Sequence, residues 1–178
     1  MTPRIDTLRQ MAAKIGQTQI EYYDFFSIFA NSLVLELNRF LGSTDCVALC
    51  PAEGEFSSNV DYRQEGLGFE KGRYCIPLKI RLKNLGDAGE LLIRIKLYFV
   101  KGEESLLAWV GDETPVTVKP EQLDVLLEAI YEHLTDLFSS TAWFDENPGH
   151  YQGTQMGFMP SKSEAQPVAQ LDPLRQAG

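Results

Sequence analysis

Two stretches of the chain alternate apolar and polar residues with a period of two. Tyr74, Ile76, Leu78, Ile80 and Leu82 fall on one side of an extended chain, and Cys75, Pro77, Lys79, Arg81 and Lys83 on the other. Further on, Leu91, Ile93, Ile95, Leu97 and Phe99 alternate with Leu92, Arg94, Lys96 and Tyr98. This period predicts two strands, and the Gly-containing NLGDAG segment between them predicts the turn of an antiparallel hairpin with one apolar face. Pro77 has no amide hydrogen to give to a ladder, so its amide position is expected at an edge or a bulge. DCVALC (45–50) and SLLAWVGD (105–112) are short apolar runs and predict further strands.

Helical spacing governs the two flanks. Thr2 and Pro3 suit an N-cap and first helical position, and Ile5, Leu8, Ala12 and Ile15 follow as a stripe that Gly16 is expected to stop. Thr18 and Glu21 have capping-box spacing, which predicts a second helix from there to about Leu41, with Gly42 as the left-handed residue beyond it. Ile20, Phe26, Phe29, Leu33, Leu37 and Phe40 form its inner stripe. Tyr22, Phe25, Ile28 and Leu35 widen the apolar surface beyond one stripe, and these four residues are the expected dimer interface. Pro120 is placed to open a last helix that turns Leu123, Leu126, Leu127, Ile130, Leu134 and Leu137 inward. Asp124, Glu128, Glu132 and Asp136 recur every four residues and make an acidic ribbon on its outer side.

These elements define an α+β protein. An antiparallel sheet of four to five strands carries N-terminal helices and a C-terminal amphipathic helix packed on one face. Residues 1–144 form one domain, and residues 145–178 read as a Gly/Pro/Gln-rich tail whose GHYQGTQMGFMP stretch (149–160) can dock back. In outline such a chain resembles small acidic α+β proteins that dimerise and hold another polypeptide, such as bacterial secretion chaperones, an analogy of shape and not of motif.

Charge sharpens this picture. The 178-residue chain has a formal net charge of -9, which argues against general attraction to nucleic acid or anionic lipid. The balance is uneven, however. Residues 73–101 hold seven basic residues against two acidic ones, whereas residues 103–146 hold eleven acids against Lys119. No apolar run is long enough for a membrane helix, and the start lacks the apolar core of a secretory signal. Cys46, Cys50 and Cys75 are an odd set. On one strand Cys46 and Cys50 would stand about 13 Å apart, too far for a disulfide, so a reducing cytoplasm is expected.

Catalytic patterns are sparse. His133 is expected at the surface or near a helix end, and neither it nor His150 is paired in sequence with a nucleophile. Cys50 lacks a base and an orienting group, and the cysteines lack zinc-site spacing. The EGLGFEKG glycines depart from the dinucleotide fingerprint, with Lys71 where its third glycine belongs. Glu53, Glu55, Asp61 and Glu65 give the 51–72 loop several carboxylates, which leaves an enzyme site there as one alternative. No cofactor and no metal site is expected. The best lead is the basic ladder. Lys79, Arg81, Lys83, Arg94 and Lys96, with Tyr98 beside them, are expected on an open sheet face that meets an acidic protein or peptide. The reading is therefore a non-enzymatic, adaptor- or chaperone-like interaction module, homodimeric and off the membrane. A nucleic-acid accessory protein using the same face is the second alternative.

Overall fold

A computed structural model describes residues 4–53, 68–70, 72–86, 89–111, 114–139 and 154–159, with side chains in the last segment at residues 154 and 156 only. The protein is α+β with an open antiparallel sheet. The Thr2–Pro3 cap, Glu55, Asp61, Glu65 and His150 lie outside the described residues.

The first helix, α1, runs unbroken from Arg4 to Phe40 over 37 residues. The expected stop at Gly16 and restart at Thr18 are not there. A glycine inside a helix costs only about 1 kcal/mol, and Ala12, Ala13, Lys14, Gln17 and Gln19 around it are good helix formers. Instead of capping, the Thr18 hydroxyl donates to the Lys14 carbonyl at 3.1 Å. Gln17 Nε2 donates to Glu21 at 3.2 Å, one turn further on. The other end closes as expected. Gly42 has φ 67°, and the Gly42 and Ser43 amides donate to the Arg39 and Asn38 carbonyls at 3.0 and 2.9 Å. This is a Schellman closure, which needs a residue tolerant of the left-handed region.

Asn38 fastens the first strand, β1 (Val47–Leu49), to that helix end. Its Oδ1 accepts from the Val47 amide at 2.9 Å, and its Nδ2 donates to the Val47 carbonyl at 2.9 Å. The side-chain amide thus acts as a neighbouring strand would. β2 (Gly68–Glu70), β3 (Arg73–Leu82) and β4 (Glu90–Lys101) follow. The β3–β4 hairpin has the predicted facing pairs, with Leu78 opposite Ile95 and Lys79 opposite Arg94. Two short strands share the outer edge of β3: β1 covers residues 78–80 and β2 covers 73–75. Pro77 lies at their junction. The Cys50 amide donates to the Pro77 carbonyl at 3.2 Å, and the return bond is the one a proline cannot make, so the β1 ladder ends there.

The outer edge of β4 is divided in the same way. β5 (Leu106–Val110) covers residues 97–101, and β7 (Thr154–Met159) covers 90–95. β6 (Val116–Val118) pairs outside β5. Neither β6 nor β7 was predicted as a strand, and β7 brings part of the segment read as tail into the sheet. The last helix, α2, spans Asp124–Ser139. It begins four residues after Pro120, because the Gln122 amide donates back to Lys119 and closes a turn first; the Leu123 carbonyl then accepts the first helical bonds.

Both helices cover the face formed by Ile76, Leu78, Ile80, Ile93, Ile95, Leu97 and Phe99. Phe26 and Phe29 of α1 pack on Phe99 with ring centroids 6.1 and 5.3 Å apart. Phe26, Leu33, Leu37, Leu126, Ile130 and Leu137 are fully buried with the strand residues. His133 also lies in this interior, contrary to the surface position expected for it. It follows Ile130 by three residues and precedes Leu137 by four, which puts it on the inner stripe of α2.

Candidate functional site

Lys79, Arg81, Lys83, Arg94, Lys96 and Tyr98 all lie on the side of the sheet away from the helices, as their alternation requires. This side is not the open face expected. Lys79 is 5% exposed and Arg94 4%. The ladder holds residues at or next to the ends of β1 and β2. Arg94 Nη1 donates to the Pro51 carbonyl at 3.2 Å. Lys96 Nζ and the Tyr98 hydroxyl donate to the two oxygens of Glu70 at 2.9 and 3.0 Å. Lys83 reaches Asp45 at 2.8 Å, and Arg81 Nε reaches Glu90 at 2.8 Å. Burial and the nearby Arg81 push the Lys79 pKa below its ordinary value, only partly offset by Cys50. Arg73 and Lys101 of the same basic segment meet aromatic rings: Arg73 lies 4.0 Å from the Trp109 ring centre, and Lys101 4.9 Å from that of Tyr22. The ladder therefore ties down Asp45, Pro51 and Glu70, and among its members only Arg81 and Lys83 keep substantial solvent contact.

The cysteines and histidine do not assemble into a nucleophile. Cys50 and Cys75 are buried thiols on the ladder side. Burial, and then the Glu70 carboxylate, pushes the Cys75 pKa up to about 12, so it stays protonated at neutral pH. His133 is across the sheet, with Nε2 3.1 Å from the Thr154 hydroxyl. Its ring also fills the space beside Gly111, where an added Cβ would come within 2.9 Å of Cε1. Its role is to lock α2 against β7 and the end of β5. Among the described residues, no three His, Cys, Asp or Glu side chains are grouped to hold a metal ion, and no helix is long and apolar enough to cross a membrane.

The expected dimer residues divide. Tyr22 and Phe25 are engaged within the chain: Tyr22 meets Tyr74 edge-on at 5.7 Å, and Phe25 packs on Phe26 and Phe29. Ile28 and Leu35, seven residues apart, are exposed on the opposite side of α1.

The feature that sequence reasoning missed is the exposure of the first half of α1. Ile5, Leu8, Ala12, Ile15, Gln19, Tyr22, Phe26, Phe29 and Leu33 follow one another at alternating steps of three and four, so they share one face. Phe26, Phe29 and Leu33 of that face are in the core, yet Leu8 and Ile15 are each 60% exposed, with Ile5 and Met11 similarly open. Length is the reason. A helix of 37 residues spans about 55 Å, whereas a ten-residue strand such as β3 spans roughly 33 Å. The first five turns overhang as an arm about 27 Å long. The unbroken three-four spacing across Gly16 was the signal that could have revealed this.

Comparison with known protein families, curated proteins and solved structures finds no match. The class that fold and geometry define is an α+β protein with an open antiparallel sheet, a ladder face closed by its own chain, and a projecting amphipathic helix.

Proposed function

We propose that this is a non-enzymatic interaction module, adaptor- or chaperone-like, working in a reducing cytoplasm, that meets another polypeptide through the projecting half of α1. The observation carrying the proposal is the stripe of Ile5, Leu8, Met11 and Ile15, exposed on the same face that the helix buries further along. Most helical stability in proteins comes from packing an apolar face and not from helix propensity. An arm whose apolar face is left largely uncovered among the described residues is thus an element awaiting a surface. The ladder offers less to an acidic partner, because its cations are engaged with Glu70, Asp45, Glu90 and the Pro51 carbonyl.

Chemical cross-linking through Lys14 in the full-length protein tests this. Wild-type protein should give cross-links from Lys14 to a separate polypeptide chain, whichever chain that is. Leu8→Asp with Ile15→Asp should abolish them while changing the stability of the body by less than about 0.5 kcal/mol, since both side chains are exposed. Cross-links of unchanged yield in that variant would refute the arm as the contact element.

A further inference from the structure

From the charges that border the arm, we infer that its partner is a second copy of this chain, and that the arm docks on the outer face of the copy's α2. This rests on the arm being the contact element and goes on to name what it contacts.

At 100° per residue, Arg9 and Lys14 flank the apolar stripe on its two sides, Arg4 lies within it, and Asp6 sits toward the back, where it forms an exposed ion pair with Arg9 at 3.2 Å and leaves Arg4 and Lys14 as the excess charge. The contact face is therefore apolar with a cationic border, in a chain of net charge -9. Two such faces packed on each other would set cation against cation. The outer face of α2 is the complement. Asp124, Glu128, Glu132 and Asp136 line it, and α2 contains no lysine or arginine. Along one margin of that ribbon Tyr131 and Phe138 are exposed, and Phe40 of α1 joins them, with the Phe40 and Tyr131 ring centroids 6.0 Å apart. Tyr131 and Phe138 are seven residues apart, as are Leu8 and Ile15, so two anchors on each helix have the same spacing.

The contact must form between molecules. Arm and core stripe belong to one continuous helix, so the arm cannot fold back to its own α2. A twofold arrangement lets each copy lay its arm on the other's α2, with identical contacts on both sides. That reciprocity doubles the surface, which an arm of five turns needs to approach the roughly 1,200–2,000 Å² of a stable interface.

Charge reversal tests the inference, with mass measured by light scattering between about 1 and 100 µM protein and across a salt series. Wild type should be a dimer that weakens as salt rises. Arg9→Glu with Lys14→Glu should raise the dissociation constant at least about tenfold, and so should Glu128→Lys with Glu132→Lys, because like charges then face each other. The four substitutions in one chain should return most of the loss. All these positions are on the surface, and circular dichroism checks that each variant is folded. A dimer that Leu8→Asp with Ile15→Asp dissolves, but that ignores reversal at Glu128 and Glu132, would overturn α2 as the docking face and leave the arm as contact element. A dimer indifferent to both sets would overturn both readings. A monomeric wild type at 100 µM would overturn the second copy as partner, whether Lys14 then cross-links to another protein or the arm binds vesicles of anionic phospholipid.

Discussion

Asn38 shows how much of this fold depends on single polar side chains. It is buried, and its amide satisfies both backbone groups of Val47 while Nδ2 also donates to the Val34 carbonyl at 3.0 Å. Removing it leaves a buried N–H and C=O without partners, and each such group costs about 1–3 kcal/mol. Asn38→Ala should therefore lower unfolding free energy by roughly 2–4 kcal/mol, read as a shift in the urea midpoint. Asn38→Asp should also destabilise, since a carboxylate cannot donate to the Val47 carbonyl. A loss below about 0.5 kcal/mol for both would mean that water replaces the side chain readily. Sequence alone did not point to Asn38, because a polar residue between Leu37 and Arg39 reads as helix surface. Only the partner strand shows that it faces inward. His133 misled for a related reason. Its acidic neighbours suggested the surface, yet its spacing from Ile130 and Leu137 already placed it inside.

Among the elements, α1 is where local preference and overall length part company. Gly16 lies in an overhanging stretch, and an added Cβ there would meet nothing within 4 Å. Gly16→Ala should thus increase helical signal at 222 nm and strengthen the arm by roughly 0.5–1 kcal/mol, the ordinary difference between the two residues in a helix. An unchanged or reduced signal would indicate that the arm bends at Gly16 in solution. The period-two alternation made β3 and β4 readable with their register, because each strand buries one complete face. Of the three-residue strands, β1 was legible only as a short apolar run, β2 and β6 are too short to carry a period, and β7 has Gly157 in its middle. β2, β6 and β7 are defined by the edges they cover more than by their own residues.

For the whole molecule, the sequence leaves open where the basic segment turns its charge. The counts were legible, but the recipients were not, since Asp45, Glu70 and the Pro51 carbonyl come from connections whose course no periodicity foretells. The extent of the domain was equally hidden. With β7 paired along residues 90–95, Thr154 on His133 and Met156 against the core, ending the chain after residue 153 should destabilise the body. The expected loss is about 1–2 kcal/mol, below the value for a fully buried methionine because Met156 is only partly buried, seen as a lower thermal midpoint. A truncated chain that melts at the wild-type temperature would show that β7 adds nothing to the fold.

The division of each outer edge between two short strands also bears on solubility. A ten- or twelve-residue strand left bare would be a long template on which another chain could add, the first step of fibril growth. Here β3 meets β1 and β2 end to end across Pro77, and β4 meets β5 and β7. What remains outward is short: the three-residue strands β1, β2 and β6 and the six-residue β7. A sequence with two long strands of alternating apolar residues thus exposes no continuous stretch of either one among its described residues.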